Sequence, residues 1–404
     1  MKQFISGLLV FFLLLFAPLS ASAQADTSRQ NTSEQNTSNA GVPTVSAPSY
    51  LLMDADTGTI LTKKDENKEL PLASVTKVMT LLLIFEALDH GKINLSDTVT
   101  VSEHAAGMGG SQVYLEPNET QTVETMIKCI TIASANDACV AMAEFVSGSE
   151  DAFVAQMNQK AADLGMAHTH FVNSCGLDAD GHYSSAYDIA LMSRELTTRF
   201  PQIFDYTKIW MEDITHKTAR GESSFTLSNT NRLIKQYEYA TGLKTGSTGK
   251  AKFCLSATAT KDDIHLIAVI MAAEDSKKRV ADAKALFTWG FANCKIYSDE
   301  NTDLLPEIPV KNGNRPVIQP YYEKPFRYLD TTGSSEKLTK KLNLPKQITA
   351  PVLKGDVIGK ALYYLGEKQI GEISVLSKDT VEELTLEEAI LKVARMLLLG
   401  KQTV

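Results

Sequence analysis

Apolar and polar positions along this chain switch between two periods, and the switches mark its elements. Residues 24–47 hold the run DTSRQNTSEQNTSNAGVPTVSA, which offers almost nothing to bury and reads as a disordered linker. From Ser49, SYLLMDADTGTILTKK gives two extended runs around Asp-Ala-Asp-Thr-Gly, a hairpin pattern. Between Val75 and Leu88 apolar residues fall on every face, which predicts a helix buried all round. Residues 102–200 keep a mainly helical period, broken at the glycines of GMGG and at CGLDADGHY. Strand pattern returns at 241–272, where LKTGST leads to KFCLSATAT, a turn at Lys261-Asp262-Asp263, and IHLIAVIMAA. Ser276 then reads as the cap of a helix through ADAKALFTWGF.

A helical block between sequence-distant strands predicts an α+β domain with an antiparallel sheet, over residues 48–296. After about residue 297 the runs become short and alternating with frequent turns, a small all-β domain to residue 379. Residues 380–404 hold an amphipathic helix with Leu386, Ile390, Val393 and Leu397 on one stripe. Glu387 and Glu388 lie early in it and Lys392, Arg395 and Lys401 late, as the helix dipole favours. It is too short and too charged to span a bilayer; lying on a membrane surface and docking on its own β domain both fit. A chain of 404 residues is long enough for these several cores. No convincing internal repeat is present.

The N-terminus adds a location. Lys2, the apolar run Gly7–Pro18 and the small residues of LSASAQA predict a secretory signal peptide over residues 1–23, with cleavage after Ala23 or Ala25. The apolar run falls short of the roughly 20 residues that a membrane-spanning helix needs. Export would place the protein on the extracytoplasmic side, at the membrane or wall. A formal charge of −8 argues against nucleic acid as a partner, because binding phosphates needs a basic surface. Cys129, Cys139, Cys175, Cys254 and Cys294 are odd in number and scattered, and read as small buried hydrophobes. Cys129 and Cys139 are expected on one helix, too far apart to pair.

The chemistry starts at LASVTKVMT, residues 72–80. A serine at the mouth of a buried helix sits where free backbone N–H groups and the dipole favour developing negative charge. Lys77 lies one turn on and on the same face, so its amine reaches the Ser74 hydroxyl. An apolar setting beside a second cation strips a lysine of its proton and leaves a general base. Ser-x-x-Lys also occurs at Ser247/Lys250 and Ser334/Lys337, but neither begins a buried helix. Two further motifs occur once each: Ser134-Ala135-Asn136 at the break before a helix, and Lys244-Thr245-Gly246 at the start of a strand.

In that order, the three motifs resemble those of the penicillin-binding serine acyltransferases. The segments LMDADTGTILTKKDENKELPLASVTKVMT, SANDACVAMAE, NSCGLDADGHYSSAYDIA, NTNRLIKQYEYATGLKTGSTGKA and ITAPVLKGDVIGK narrow the resemblance to the low-molecular-mass D-alanyl-D-alanine carboxypeptidases, over about residues 48–378. It implies a penicillin-binding/β-lactamase-like transpeptidase domain, and a terminal helix that serves as a membrane-surface anchor. Alanine at 135, where many relatives have glycine, is a small departure. The resemblance assigns Ser74 as nucleophile, Lys77 as its proton acceptor, and Ser134 as proton relay to the leaving amine. Asn136 holds the substrate amide and orients Lys77. Lys244 and Thr245 bind the terminal carboxylate, and Gly246 lets substrate backbone lie close. The backbone N–H groups of Ser74 and Ser247 form the oxyanion hole. The implied substrate is a peptidoglycan stem peptide ending in D-Ala-D-Ala, with β-lactams as covalent inhibitors and no cofactor or metal.

Several rival readings remain. DD-endopeptidase activity uses the same acyl-enzyme. A serine β-lactamase needs a deacylating carboxylate, for which Glu195 and Glu222 are in the right stretch without a recognisable context. A penicillin-responsive binder would have an inert site. His168 and His170 as zinc ligands, and Asp178 and Asp180 as part of a calcium loop, fit poorly beside surface and turn roles. His182 reads as fixing a turn.

Overall fold

The computed structural model describes residue 41 and residues 43–399. The expected signal peptide and most of the expected linker lie outside the described residues. Ser46 and Ala47, assigned to the linker from the sequence, belong to the folded body. The Asp282 carboxylate accepts from Ser46 N (2.9 Å), Ser46 Oγ (2.9 Å) and Ala47 N (3.0 Å), and Ala47 is fully buried. A polar composition hid this anchor, because the partner lies 235 residues away.

In chain order the first domain contains β1 (Ser49–Asp54), β2 (Ile60–Lys64), α1 (Lys77–Asp89), β3 (Thr98–Thr100), α2 (Glu103–Ala106), β4 (Thr120–Thr122), α3 (Val123–Lys128), α4 (Asn136–Ser147), α5 (Glu150–Asp163), α6 (Ala186–Arg199) and α7 (Ile203–Thr207). The hairpin β5 (Met211–Thr218) and β6 (Gly221–Ser228), α8 (Leu233–Gln236), β7 (Ala240–Thr248), β8 (Lys252–Lys261), β9 (Ile264–Ala273) and α9 (Ser276–Asn293) follow. Five strands form one sheet in the order β2-β1-β9-β8-β7, every pairing antiparallel.

Side chains alternate across that sheet. Leu51, Met53, Ile267, Val269 and Met271 join the large core built with α1, α4 and α6. Tyr50, Leu52, Leu266, Ala268 and Ile270 face the other way, into a second core under α9. Both faces are covered, so IHLIAVIMAA reads as an unbroken apolar run. Helix α1 is buried at every position from Lys77 to Ala87, as its all-round apolar pattern requires.

Two local expectations change. Asp275, not Ser276, caps α9: its carboxylate accepts from Lys277 N (2.8 Å) and Lys278 N (2.7 Å). Cys129 and Cys139 do not share a helix. The chain leaves α3 through a wide π turn, Cys129–Ala133, passes a left-handed Ser134 and restarts as α4. All five cysteines are free thiols.

Residues 295–381 form the expected all-β domain. A four-stranded antiparallel sheet there carries the pair Val357–Leu365 and Lys368–Ser377, around a core that stacks Phe326 on Tyr363 at 3.7 Å. Its strand Phe326–Asp330 returns to the first domain, where Arg327 meets Asp56 at 2.8 Å. The terminal helix, Leu386–Leu399, is capped by Thr385 and Glu388 in a reciprocal box. Its stripe is exposed, with Leu386 at 79% and Leu397 at 79%, so the stripe does not dock on the β domain. Among the described residues no helix is long and apolar enough to cross a membrane.

Candidate active site

The mouth of α1 is a single tight turn, Ala73–Thr76, that presents Ser74. It packs on β7 because residue 246 has no side chain. A Cβ on Gly246 would lie 2.6 Å from Leu72 O and 3.0 Å from Ser74 N. The family resemblance implies that Gly246 lets substrate backbone lie close; in the structure it lines the cleft and also lets the turn carrying Ser74 approach β7. Gly176 (φ +89°) presses from another side, where an added Cβ would lie 2.0 Å from Ala73 O.

Lys77 is wholly buried, and its Nζ has three neighbours: Ser74 Oγ at 3.0 Å, Asn136 Oδ1 at 2.6 Å and Cys175 O at 2.7 Å. Asn136 Nδ2 donates to Gly109 O (2.7 Å), which turns its carbonyl oxygen toward the lysine. Two of the neighbours can only accept. A neutral amine has two N–H bonds to give them, and its lone pair is then left facing the Ser74 hydroxyl. Burial lowers the Lys77 pKa, against the raising influence of Cys139, Cys175 and Asp137. Burial, the apolar setting expected from the sequence, is the main cause.

Ser134 sits at φ +62°, where the chain turns sharply between the π turn and α4. Its Oγ accepts from Lys244 Nζ at 2.8 Å, so its own proton is free to point elsewhere. Lys244 is 1% exposed, and its pKa is lowered well below the ordinary value by burial first, then by Lys77 and Arg279. Lys244-Thr245-Gly246 lies in the second half of β7, not at its start. Thr245 Oγ1 is 2.8 Å from Thr230 Oγ1. β7 is the last strand of the sheet, so its outer edge is open to strand addition.

These groups line a cleft of about 710 Å³ with Ser74, Ser134, Thr245, Gly246 and Ser247 on its wall. Arg232, Lys235 and Arg279 also line it, and among the described residues no carboxylate does. On a chain of net charge −8, that makes the cleft a cationic exception. The structure thus brings Ser74, Lys77, Ser134, Asn136, Lys244, Thr245, Gly246 and Ser247 together.

Sequence reasoning missed four contributors. Arg279, from the buried face of α9, donates to Gly246 O (3.2 Å) and Cys254 O (3.1 Å). An arginine among Val280, Ala283 and Phe287 was the available signal. The Asp137 carboxylate accepts from Val113 N and Leu115 N and so ties down the loop that carries Ser111 to the cleft. The Cys175 carbonyl was invisible, since backbone groups leave no trace in residue type. His182 fixes more than a turn: its ring meets Thr76 Oγ1 at 2.8 Å. Glu195 faces Arg199 and Glu222 faces Lys217, and neither lines the cleft. His170 donates to Gly181 O and His168 lies 3.4 Å from Glu69. Asp178 accepts from Thr248 Oγ1 at 2.7 Å and Asp180 lies 3.7 Å from Lys250, so both steady the β7–β8 turn.

A sheet covered by α9 on one face and a helical block on the other, with a serine–lysine pair at its edge strand, is the architecture of the penicillin-binding serine acyltransferases. Residues 34–275 match the family described as D-alanyl-D-alanine carboxypeptidase, and residues 291–383 match the C-terminal domain of penicillin-binding protein 5. The chain belongs to the D-alanyl-D-alanine carboxypeptidase family. It is 41% identical to the D-alanyl-D-alanine carboxypeptidase DacF of Bacillus subtilis, over 95% of each chain. Identity to DacC of Escherichia coli, another protein of that description, is 31% over 92% of this chain and 90% of the relative. Among solved structures, penicillin-binding protein 5 of Haemophilus influenzae superposes with a TM-score of 0.70 at 30% identity, covering 84% of this chain and 99% of that one. Penicillin-binding protein 6B of Escherichia coli gives 0.66 at 29%, covering 82% and 95%.

Proposed function

We propose that this enzyme removes the terminal D-alanine from peptidoglycan stem pentapeptides through an acyl-enzyme on Ser74. The observation that carries the reading is the buried Lys77 amine, 3.0 Å from Ser74 Oγ and held by the acceptors Asn136 Oδ1 and Cys175 O. Neutral Lys77 takes the serine proton as Oγ attacks the carbonyl of the penultimate D-alanine. The N–H groups of Ser74 and Ser247 receive the oxyanion, an interaction worth about 3 kcal/mol per donor. Ser134, its lone pair occupied by Lys244, gives its proton to the departing nitrogen; the C–N bond breaks and the Ser74 ester remains. Lys77 returns a proton to Ser134 as the relay resets. Water then attacks the ester with Lys77 again taking the proton; the acyl C–O bond breaks, Lys77 returns that proton to Ser74 Oγ, and the shortened peptide leaves as its acid.

Peptide lies along the open edge of β7, and its terminal carboxylate is received by Thr245, Lys244 and Arg279. Asn136 holds its amide and Lys77. β-Lactams, which mimic the acyl donor, acylate Ser74 and leave slowly, in keeping with a cleft wall on which, among the described residues, no carboxylate stands to drive deacylation. Export by the N-terminal segment puts the enzyme at the wall, on the extracytoplasmic face. The exposed stripe of Leu386–Leu399 lies on the outer leaflet of the cytoplasmic membrane.

The test is to incubate the purified enzyme with muropeptides and identify products by mass. Free D-alanine supports the proposal. Separated stem peptides would make the enzyme an endopeptidase, and rapid steady-state penicillin turnover would make it a β-lactamase.

A further inference from the structure

We propose that His182 is a positioning residue, which acts through Thr76 on the peptide unit that supplies the first oxyanion donor. The proposal rests on the acyl-enzyme reading above and extends it beyond the three motifs.

The ring's orientation is fixed by its neighbours. Val172 N lies 3.0 Å from His182 Nδ1, and a backbone N–H can only donate. Nδ1 therefore accepts, and the ring proton is on Nε2. Nε2 is 2.8 Å from Thr76 Oγ1, which in turn donates to Ala73 O at 2.8 Å. His182 is 6% exposed and Thr76 fully buried, so water does not compete for these bonds. Burial also lowers the His182 pKa, to about 4, which keeps the ring neutral at physiological pH.

The series ends at Ala73, directly before the nucleophile. Ala73 sits at φ +50°, a region that residues with a Cβ avoid. Its carbonyl belongs to the same planar unit as the Ser74 N–H. Fixing Ala73 O therefore fixes the direction of that N–H. A hydrogen bond to the carbonyl also polarises the unit and strengthens its N–H as a donor. Gly176 blocks the other side of Ala73 O, so the unit is held between a backbone wall and the His182–Thr76 series. Nothing in this series touches substrate, and its effect belongs to the transition state.

The experiment compares His182→Ala, His182→Gln, Thr76→Val and the double variant His182→Ala/Thr76→Val. Readouts are kcat and KM for a D-Ala-D-Ala peptide, the rate of Ser74 acylation by benzylpenicillin, and Tm. His182→Ala and Thr76→Val should each lower kcat and the acylation rate roughly 10- to 100-fold, less than the loss of a whole donor, with KM within about twofold. The double variant should be no worse than about threefold below either single one, because both cut one series. His182→Gln, which keeps an N–H near Nε2, should recover most of the acylation rate. Wild-type kcat in a folded His182→Ala enzyme, losses that multiply in the double variant, or a fall in Tm with kcat unchanged would overturn the proposal. If His182→Ala does not fold, Thr76→Val and His182→Gln decide it alone. Wild type that is acylated by penicillin but releases no D-alanine would count against the carboxypeptidase reading, while the acylation rates still test His182.

Discussion

Lys244 reaches Ser134 across 110 residues of sequence, its Nζ donating to the hydroxyl at 2.8 Å. That bond ties the second motif to the third. It also decides the polarity of Ser134, which accepts from the lysine and, in the proposed mechanism, keeps its proton for the leaving nitrogen. Ser134→Ala should therefore lower kcat/KM for peptide by roughly 10²- to 10⁴-fold, the usual range for a proton-transfer group. Steady-state kinetics check it, with Tm as the control for folding.

In the proposed mechanism the acid limb of kcat/KM reports the neutral form of Lys77. Burial lowers this pKa, so activity should rise with pH through a midpoint below that of a free lysine. Asn136→Asp places a carboxylate where a carbonyl oxygen now accepts at 2.6 Å. An adjacent negative charge favours the ammonium form, so the limb should move to higher pH and activity at neutral pH should fall. A pH–rate profile of both enzymes measures the shift. An unmoved limb would mean that another group sets it.

Thr245, Lys244 and Arg279 surround the proposed place of the substrate's terminal carboxylate. Converting that carboxylate to an amide should lower kcat/KM about 10- to 100-fold, since hydrogen bonds to charged groups are worth about 1.5–3 kcal/mol. The remaining activity should depend less on salt, because Arg232 and Lys235 would attract an uncharged end less. Kinetics of the paired peptides at two ionic strengths provide the comparison.

Four of the five cysteines are buried. Burial raises the thiol of Cys139 to about 12 and that of Cys254 to about 11, and also raises Cys129 and Cys175. A thiol reagent at neutral pH should therefore label at most Cys294 in the native protein, and all five after denaturation. Labelling at Cys175 in the native state would mean that the segment holding Lys77 opens.

Much of this site is legible in the sequence because its chemistry is carried by residue types at local spacings. Ser74 and Lys77 are one turn apart, and Ser134 and Asn136 flank one helix start. The periodicity of β8 and β9 gives the sheet, and the apolar run after Lys77 gives its central helix. What escapes is long-range or belongs to the backbone. Cys175 O holds Lys77 Nζ at 2.7 Å, yet any residue supplies a carbonyl. Gly176 and Gly246 matter for what they do not place against Ala73, Leu72 and Ser74. Asp282 anchors Ser46 from far along the chain, and Arg279 looks like an ordinary member of a helix until α9 folds over the cleft. Cys129 and Cys139 were assigned to one helix because a π turn leaves the apolar pattern intact.

The most direct test of the central claim is the site of covalent modification. Incubating wild type and Ser74→Ala with a penicillin, then digesting each and mapping the added mass, identifies the nucleophile. The account predicts one adduct per wild-type chain, on the peptide containing Ser74, and none on the folded variant. An adduct that persists in Ser74→Ala, or maps to Ser134 or Ser247, would contradict it.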